Sequence, residues 1–503
     1  MTILPGRTWP SKHPVALGTA DASPLVPANA GIRGLGQLST KASGRMTELQ
    51  EHPVAITGYD TSCVPFRVAD ELLIPAERYY DLGFFKTEQE LWFHTWQVAC
   101  HETEIPRPGD FTEYQILDQS VMLIRQPDGS VRAFYNACRH RGTAVACGTG
   151  TFRGGQVVCP FHGWRWNLDG SNSYIYSKRV FRPDTVSGSE VNLRPISVGL
   201  RYGFVWINFD PDAIPFEDNF RGVENAIDPH CFEKMHMTWW HQIEFAANWK
   251  IAQEAFFESY HIMQAHPELA LFERDENFPA LGDYDSNREL GHTWAANFRS
   301  AKDVNDPYSG ARLNPDMTAS PAEQYFAKIN AMWQGAQSMT SAHQVRIAEE
   351  LITAVPPEKF FDEFYKRVYE DAADRKVPLP PRSPAMTSHW TVFPNWTGVV
   401  SLGCALMYRS RPHPTDPNRS IYDFFALEIP PDGTAVTRPQ IAASDAPSWD
   451  DLWFVQQDAS NIERVQTGIR ARAHTVSRIA PQHEEMIVNW HQTLDQWLAK
   501  YSS

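Results

Sequence analysis

The chain has few cysteines, an excess of acidic over basic residues and no long apolar run. Its 503 residues include seven cysteines, too few for a disulfide-built scaffold. No apolar run approaches the roughly 18 to 20 residues that span a bilayer, and no signal-peptide pattern opens the chain. The net charge of −15 argues against a general attraction to nucleic acid or anionic membranes. We therefore expect a reducing, cytoplasmic setting in which unbridged thiols are free to bind metal.

The first 45 residues differ in composition from the rest of the chain. They hold five basic residues, one acidic residue and scattered Pro and Gly, with no sustained hydrophobic period. Such a composition cannot bury a core, so we expect residues 1–45 to be a disordered leader. A mis-set start codon before Met46 or an added leader explains it as well as a functional tail does, and a transit-type peptide is the weaker option.

Short apolar segments separated by turn signals fill the chain from about residue 70 to 205. This pattern is typical of a small antiparallel β domain. The predicted strands lie at 121–124, 131–135, 157–158 and 204–207.

From about residue 215 a mixed pattern of helices and strands replaces the short strands. An antiparallel sheet flanked by helices, an α+β arrangement, is predicted for this half. The predicted helices lie at 248–265, 321–352, 357–374 and, as the closing helix, 449–475, and the predicted strands at 391–393, 399–400 and 422–427.

Two thiols and two imidazoles fall in two short segments of the first half. Cys138-Arg-His140 is followed, after 18 intervening residues, by Cys159-Pro-Phe-His162. Two Cys and two His fit either a tetrahedral zinc or a [2Fe–2S] Rieske centre, in which each iron takes one like pair. Each segment carries one Cys and one His, which favours the Rieske centre because classical zinc fingers keep like ligands together. Structural zinc stays the alternative.

A second group of metal-binding residue types lies on the predicted helix 248–265. Glu254, Glu258 and His261 fall at i, i+4 and i+7, which is one stripe of a helix. His266 lies about 140° farther around an ideal helix than His261. Both imidazoles therefore meet one ion only if the helix loosens or ends between them, and Pro267 favours an ending there.

Two His and one carboxylate form the ligand set of non-haem Fe(II) oxygenases, so a carboxylate is needed from elsewhere in the chain. Asp458 is the best candidate. Spacing alone does not separate it from Asp450, Asp451 or Glu463, and a solvated helix face is the ordinary alternative for any of them.

Together these segments resemble the α subunit of the Rieske non-haem iron oxygenases, the ring-hydroxylating oxygenase family. The resemblance implies an antiparallel β Rieske [2Fe–2S] domain followed by a catalytic domain of the helix-grip type, with a curved antiparallel sheet over a long helix. The matching pieces are Cys138-Arg-His-Arg-Gly142, Cys159-Pro-Phe-His-Gly-Trp164, Asn248-Trp-Lys250 with Glu254, Tyr260-His261 and His266, and Gln457-Asp458 with Glu463, Gln466 and Gly468.

The same resemblance divides the chain into domains. It implies an N-terminal segment, 46–90, that packs on the catalytic domain, a Rieske domain over 91–210 and a catalytic domain over 211–503. The catalytic domain carries surplus chain over about 270–385. We interpret this insertion as a surface elaboration, with a lid or a subunit contact as the alternatives.

The resemblance also implies the roles of individual residues. The cluster is held by Cys138, His140, Cys159 and His162, and the mononuclear Fe(II) by His261, His266 and Asp458. His162 and Glu258 form an electron-relay pair, usually between neighbouring subunits of a trimer. The chain departs from the family pattern with Glu258 where Asp is usual and with Ala255 where Asn is frequent.

The function implied is that of a terminal oxygenase component. Electrons from a ferredoxin or an NAD(P)H-dependent reductase pass through the cluster to the iron, where O₂ is activated to hydroxylate an aromatic or polycyclic organic substrate. A monooxygenase or demethylase acting on a quaternary ammonium, methoxy or N-methyl compound is the alternative, and a non-catalytic zinc protein is the alternative of another class. No nicotinamide or flavin fingerprint is evident, so a separate electron donor is expected.

The expected partners are this donor, O₂, a small organic substrate and two further copies of the chain, with or without a separate β subunit. No nucleic-acid or membrane partner is expected. Phe256, Phe257 and Met263 flank the ligand helix and form an apolar pocket if they face inward, although ordinary helix packing is the favoured interpretation for each side chain.

Overall fold

The fold is known from a computed structural model, which describes residues 57–258, 260–266, 268, 284–295, 319–382, 389–480 and 483–501. The predicted leader and part of the predicted insertion lie outside these residues. The strands are β1 (Leu73–Pro75), β2 (Gln97–His101), β3 (Asp110–Ile116), β4 (Gln119–Arg125), β5 (Val131–Tyr135), β6 (Thr149–Thr151), β7 (Gln156–Val158), β8 (Arg165–Asn167), β9 (Asn172–Tyr174), β10 (Pro195–Arg201), β11 (Phe204–Asn208), β12 (His236–Phe245), β13 (Tyr284–Asn287), β14 (His292–Ala295), β15 (His389–Val392), β16 (Trp396–Ser401), β17 (Cys404–Pro412), β18 (Ser420–Glu428) and β19 (Val476–Arg478). The α-helices are α1 (Leu82–Glu88), α2 (Leu91–His94), α3 (Glu224–Ile227), α4 (Trp249–Glu254), α5 (Ile262–Ala265), α6 (Pro321–Ala336), α7 (Ala342–Ala354), α8 (Phe360–Asp374), α9 (Trp453–Ile469) and α10 (Glu485–Tyr501).

Two antiparallel sheets make up the first half of the described chain. A seven-stranded sheet has the order β2-β11-β10-β5-β4-β3-β6, and a three-stranded sheet has the order β7-β8-β9. Alternate side chains of β3 are buried, as the two-residue period of a strand with one covered face requires. The four strands predicted from the sequence all lie within strands of these sheets, so the predicted β domain is confirmed.

The second half is built on another seven-stranded antiparallel sheet, with the order β12-β18-β17-β16-β15-β14-β13. All nine residues of β17 are buried, because both faces of this central strand are covered. The predicted α+β class, with an antiparallel sheet flanked by helices, is confirmed.

The helices differ from the sequence prediction in three places. The single helix predicted over 248–265 is wrong, because α4 ends at Glu254 and α5 begins only at Ile262. The helix predicted over 321–352 is broken at Gln337, which has a left-handed backbone conformation (φ 45°). The helix predicted to close the chain is followed by another, α10, whose buried face combines an apolar stripe of Ile487, Trp490, Leu494 and Trp497 with polar side chains such as His491 and Asp495.

The chain segment before β2 contacts the end of the chain. Strand β1 pairs with β19, and buried Arg78 forms a 2.6 Å ion pair with Asp495 of α10. The predicted domain boundaries at residues 90 and 210 stay predictions.

A buried ionic cluster joins the two large sheets. Asp423 of β18 forms ion pairs with Arg409 (2.8 Å) and Arg411 (3.1 Å) of β17. Burial favours the neutral acid, but the two guanidinium groups outweigh it and lower the pKa of Asp423 to about 2. Arg409 also donates to the carbonyl oxygen of Ala99, and Arg411 donates to that of Gln115 at 2.9 Å. We call Arg409, Arg411 and Asp423 the sheet clamp.

Candidate metal centres

The two Cys/His segments fold into loops with the same backbone hydrogen bonds. In the first loop the Cys138 amide donates to the carbonyl of Thr143, and the Gly142 amide donates to that of Cys138. In the second loop the bonds from Cys159 to Trp164 and from Gly163 to Cys159 repeat the pattern. Both glycines have positive φ angles, 77° and 69°, which other L-residues rarely adopt. The two loops therefore share one hydrogen-bonded backbone form, although their Cys-to-His spacings differ by one residue.

Burial separates the thiols from the imidazoles at the tips of these loops. The thiols of Cys138 and Cys159 are buried, whereas His140 and His162 are partly exposed. The Nδ1 atoms of the two histidines lie 3.2 Å apart. Like ligands thus lie together, which fits a cluster whose inner iron takes both thiolates and whose outer iron takes both imidazoles.

The protonation of these groups depends on a bound metal. Burial, together with contact with the Cys159 thiol, raises the pKa of Cys138 to about 11, although the backbone amides of His140 and Arg141 lower it. Burial lowers the pKa of His140, and the neighbouring His162 and Arg141 lower it further. The imidazole is therefore neutral and ready to ligate, while the thiol needs a metal to deprotonate it near neutral pH.

The second site gathers residues that are far apart in the sequence. His261, His266 and Asp458 each offer a ligand atom, and these atoms all lie within 4.8 Å of one another. Asp458 Oδ1 is 3.3 Å from His261 Nε2 and 2.9 Å from His266 Nε2. Asp450, Asp451 and Glu463, which spacing alone left as alternatives, are not part of this group.

The break in the predicted helix brings the two histidines together. After α4 the chain turns, and α5 runs only from Ile262 to Ala265. His261 precedes α5, and His266 ends it with a non-helical backbone conformation (φ −119°, ψ 73°). The expected helix ending before Pro267 is therefore confirmed, and with it the geometric condition for a shared ion.

Each histidine ring is fixed by a partner at its other nitrogen. Glu258 Oε1 lies 2.6 Å from His261 Nδ1, and Gln457 Oε1 lies 2.7 Å from His266 Nδ1. These contacts leave both Nε2 atoms for the metal, the arrangement expected of metal-ligating histidines. The ring of Phe454, one helical turn before Asp458, stacks on His266 at 4.1 Å with an interplanar angle of 8°. No sequence pattern points to Phe454.

The carboxylates around His261 hold a proton on it when no metal is bound. Burial lowers the pKa of this imidazole, but Glu258 and Asp458 outweigh burial and raise the pKa to about 9. Metal binding must therefore displace a proton from His261 at neutral pH.

Glu254 does not join the metal site, although it shares a predicted helix stripe with Glu258. Its carboxyl oxygens lie 2.9 Å from the Tyr79 hydroxyl and 2.8 Å from His491 Nε2. Arg78 Nε donates to His491 Nδ1 at 3.1 Å, so the histidine carries its proton on Nε2 and donates it to Glu254.

Burial also changes the protonation of Glu254. Two cations, Arg78 and Lys250, face three carboxyl groups, those of Glu88, Glu254 and Asp495. Burial raises the pKa of Glu254 to about 8, the charge of Glu484 adds to this, and Tyr79, Lys250 and Arg78 oppose it. At neutral pH Glu254 therefore carries a proton.

The aromatic residues beside the ligand segment pack into two different cores. Phe256 stacks on Tyr408 with the ring centroids 4.1 Å apart. The ring centroids of Phe257 and Trp490 are 6.3 Å apart. Both are at least nine-tenths buried, which agrees with the ordinary packing that we weighed against a pocket. The side chain of Met263 lies outside the described residues.

Comparison with known families agrees with this pair of centres. The Rieske [2Fe-2S] domain model matches residues 95–180. The model of the ring hydroxylating alpha subunit, catalytic domain, matches residues 232–500, more than half of the chain. The chain belongs to the Rieske non-haem iron oxygenase α subunits. Members carry a [2Fe–2S] cluster and a mononuclear iron, which replaces the structural-zinc alternative.

Curated relatives of the chain include oxygenase subunits that act on quaternary ammonium compounds. The carnitine monooxygenase oxygenase subunit of Escherichia coli K12 is 31% identical over 203 residues, 39% of this chain and 52% of that protein. The glycine betaine monooxygenase oxygenase subunit of Pseudomonas aeruginosa UCBPP-PA14 is 32% identical over 202 residues, 39% of this chain and 45% of that protein. The chain thus spans about half the length of the curated relatives that it matches.

Solved structures share the fold over most of the chain. The quaternary ammonium Rieske monooxygenase CntA in complex with L-carnitine has a TM-score of 0.57 and 17% identity, covering 87% of this chain and 98% of its own. Naphthalene 1,2-dioxygenase from Rhodococcus sp. bound to indole has a TM-score of 0.56 and 20% identity, covering 87% and 96%. At these identities the likeness concerns the fold alone. Within the described part of the chain, no helix combines the length and apolarity that crossing a bilayer requires.

Proposed function

We propose that the protein is the terminal component of an oxygenase system, located in the cytoplasm, which takes electrons from a separate protein and oxygenates a small organic substrate with O₂. The observation that carries this proposal is the presence of two different donor sets in one chain, a Cys₂His₂ set and a His₂–carboxylate set. The bound cluster supplies electron transfer and the bound mononuclear iron supplies O₂ activation. The chain supplies ligands, ring orientation and proton positions.

We assign Cys138, His140, Cys159 and His162 to the cluster, and His261, His266 and Asp458 to the mononuclear iron. The support lies in the burial of the thiols, the paired imidazoles and the convergence of both Nε2 atoms on Asp458. Purified protein should be red-brown and hold about three irons and two inorganic sulfides per chain. A colourless protein with zinc would contradict the assignment.

We propose that Glu258 orients His261 and connects the two centres. Its carboxylate is 2.6 Å from His261 Nδ1, and its second oxygen accepts the His261 amide at 3.0 Å. A Glu258→Gln protein should keep both metals but turn over more slowly with its donor, and Glu258→Asp, which restores the charge, should recover part of the rate. Undiminished turnover of Glu258→Gln would rule out the relay role.

We propose that electrons cross between subunits of a homotrimer, because the described contacts of His162 are with His140, Phe161 and Arg141 of its own loops and do not include Glu258. The test mixes two inactive variants, Cys159→Ser, without a cluster, and Asp458→Ala, without mononuclear iron. Mixed oligomers should regain activity, whereas each variant alone stays inactive. If the mixed oligomers stay inactive, the cluster and the mononuclear iron that exchange electrons belong to the same chain. Light scattering on the purified protein tests the trimer and shows whether a separate β subunit is present.

We propose that the electron donor, a ferredoxin or an NAD(P)H-dependent reductase, is acidic where it docks. Residues 138–182 contain seven basic residues and one acidic residue, in a chain whose net charge is −15. Arg141, Lys178, Arg179 and Arg182 are exposed. Added salt should therefore raise the donor concentration needed for half-maximal rate, and an unchanged value would contradict this.

Two substrate classes have support. The carnitine and glycine betaine relatives favour monooxygenation of a quaternary ammonium compound. The fold shared with naphthalene 1,2-dioxygenase keeps the aromatic or polycyclic class as the second candidate. The test is O₂ uptake and product analysis with a surrogate reductase and matched panels of trimethylammonium compounds and arenes. Product from one panel selects the class, and no coupled product from either panel would contradict both.

A further inference from the structure

The predicted insertion reaches the mononuclear metal site through its first helix, α6. The early part of α6 packs on α7 and α8, where Tyr325 and Ile329 join an apolar cluster of the insertion. Its last turn joins a different core. There Ala336 and the following Met339 are buried with Phe454 and Val455 of α9, the helix that carries Asp458.

Gly335 allows α6 to approach α9 closely. A Cβ atom at this position would lie 2.6 Å from Cε2 of Trp453 and 2.8 Å from Cβ of Phe454, closer than side-chain atoms pack. Glycine weakens a helix interior relative to alanine. Its presence in the last full turn of α6 is thus explained by the space that α9 occupies.

The end of α6 is also fixed to the catalytic sheet. Trp239 of β12 donates through Nε1 to the carbonyl of Gln337 at 3.3 Å, and the Ser338 hydroxyl donates to the carbonyl of Ala405 in β17 at 2.8 Å. The turn after α6 cannot move away from α9 without breaking these bonds.

A short series of contacts leads from Gly335 to the metal site. Gly335 touches Phe454, whose ring stacks on His266 at 4.1 Å. The next turn of α9 supplies Gln457, which holds His266 Nδ1, and Asp458. A shift at the start of α9 would change the position of all three α9 side chains.

We propose that the inserted helix α6 is a buttress for the mononuclear metal site, with Gly335 as a positioning residue that lets α6 hold Phe454 against His266. The insertion thus serves the metal site rather than only elaborating the surface. This inference rests on the proposed ligand set of His261, His266 and Asp458.

The test compares two glycine-to-alanine substitutions in holoprotein. Gly335→Ala adds a methyl group at the contact. Gly468→Ala adds one on an exposed face of α9, where a Cβ meets nothing within 4 Å. Gly335→Ala should lower the affinity for mononuclear iron by about 10- to 100-fold and alter the EPR signal of the ferrous site treated with nitric oxide. The visible spectrum of the cluster should not change, and Gly468→Ala should change none of these properties.

A compensating substitution separates positioning from general damage. Adding Trp453→Phe to Gly335→Ala removes the indole atoms that the new methyl group would meet, so iron affinity and the EPR signal should partly recover. If Gly335→Ala does not fold, the double variant is measured in its place. Phe454→Leu, which removes the stacked ring, should weaken iron binding as Gly335→Ala does.

Wild-type iron affinity and EPR signal in folded Gly335→Ala would overturn the buttress, and so would wild-type values in Phe454→Leu. His261→Ala distinguishes failure of the ligand assignment. If that variant kept its mononuclear iron, the assigned ligand set would be wrong whatever the glycine variants showed.

Discussion

The two candidate metal centres are built in opposite ways. The cluster site consists of two loops of six residues each, and each loop carries one Cys, one His and one Gly in the same hydrogen-bonded form. The mononuclear site combines a broken helical segment around residue 261 with a helix almost 200 residues later. Its rings are fixed by Glu258, Gln457 and Phe454.

This difference separates local from tertiary control of a metal site. In each cluster loop the backbone bonds lie within the loop itself, so a few residues determine the geometry. At the mononuclear site the position of His266 depends on Gln457 and Phe454 of α9. We therefore expect the cluster site to respond mainly to changes within its loops, and the mononuclear site to respond to changes at a distance.

The largest expected effect tests whether the two sites are independent. Cys159→Ser should abolish the cluster absorption but keep mononuclear iron, and Asp458→Asn should do the reverse, because neither set shares a ligand with the other. Turnover with the donor should be lost in both. Metal analysis and visible spectra provide the measurement. Loss of both metals in either variant would show that the sites fold together.

The next largest effect tests the distant support of the mononuclear site. Gln457→Leu removes the acceptor for His266 Nδ1, so iron affinity should fall by about 10- to 100-fold. Gln115→Leu, an exposed substitution on β3, is the matched control and should leave iron binding unchanged. Iron titration of both proteins supplies the comparison, and equal affinities would mean that His266 is held by its own segment.

An intermediate effect concerns pH and the buried network behind the metal site. The pKa of Glu254 is about 8 in the folded protein, against an ordinary value of 4.5. The folded state therefore binds more protons between these values, and Glu254 makes stability fall as pH rises from about 4.5 through 8. The slope it contributes is at most about 1.4 kcal/mol per pH unit.

Glu254→Gln should flatten this dependence, because the amide does not titrate. Denaturant unfolding of both proteins at pH 5 and pH 9 measures how their free energies of unfolding depend on pH. Glu104, whose pKa burial raises to about 7, is retained in both proteins, so the difference between the two curves reports Glu254 together with its coupling to Glu484. Parallel curves would mean that Glu254 is ionised throughout.

The smallest expected effect tests whether the two cluster loops are equivalent. Gly142→Ala and Gly163→Ala each place a side chain at a positive φ, which costs about 1 to 2 kcal/mol. Because no atom lies within 4 Å of either new Cβ, backbone strain is the main cost and should be similar in both loops. Unfolding free energies of the two variants provide the measurement. A large loss at one glycine alone would show that the loops are not copies.

How far the sequence predicts each site follows from the same contrast. Spacing in the sequence points to the two Cys and two His residues of the loops and to the pair His261 and His266. In each case the candidate ligands lie close together in the chain. Spacing does not separate Asp458 from Asp450, Asp451 and Glu463, and it is the family resemblance that selects it. The fold separates them, since Asp458 faces the histidines from a buried position on α9.

The helix predicted over 248–265 fails for a reason that lies outside the local sequence. The stripe of Glu254, Glu258 and His261 suggested one helix, but Glu254 is drawn into hydrogen bonds with Tyr79 and His491, while Glu258 turns to His261. Here long-range polar contacts override the local periodicity. Helix α10 is a different case, because Ile487, Trp490 and Leu494 recur at helical spacing and its local pattern is that of a helix.

The sheet clamp has a consequence for engineering by domain exchange. Its two arginines donate to backbone carbonyl groups of the β domain, at buried Ala99 and at Gln115, and both form ion pairs with Asp423 of the catalytic sheet. A chimera that joins this β domain to the catalytic half of a relative without matching arginines would leave the buried Ala99 carbonyl without this donor. Grafts that cut between the two sheets should therefore transfer Arg409, Arg411 and Asp423 together, as the smallest exchangeable unit of the interface.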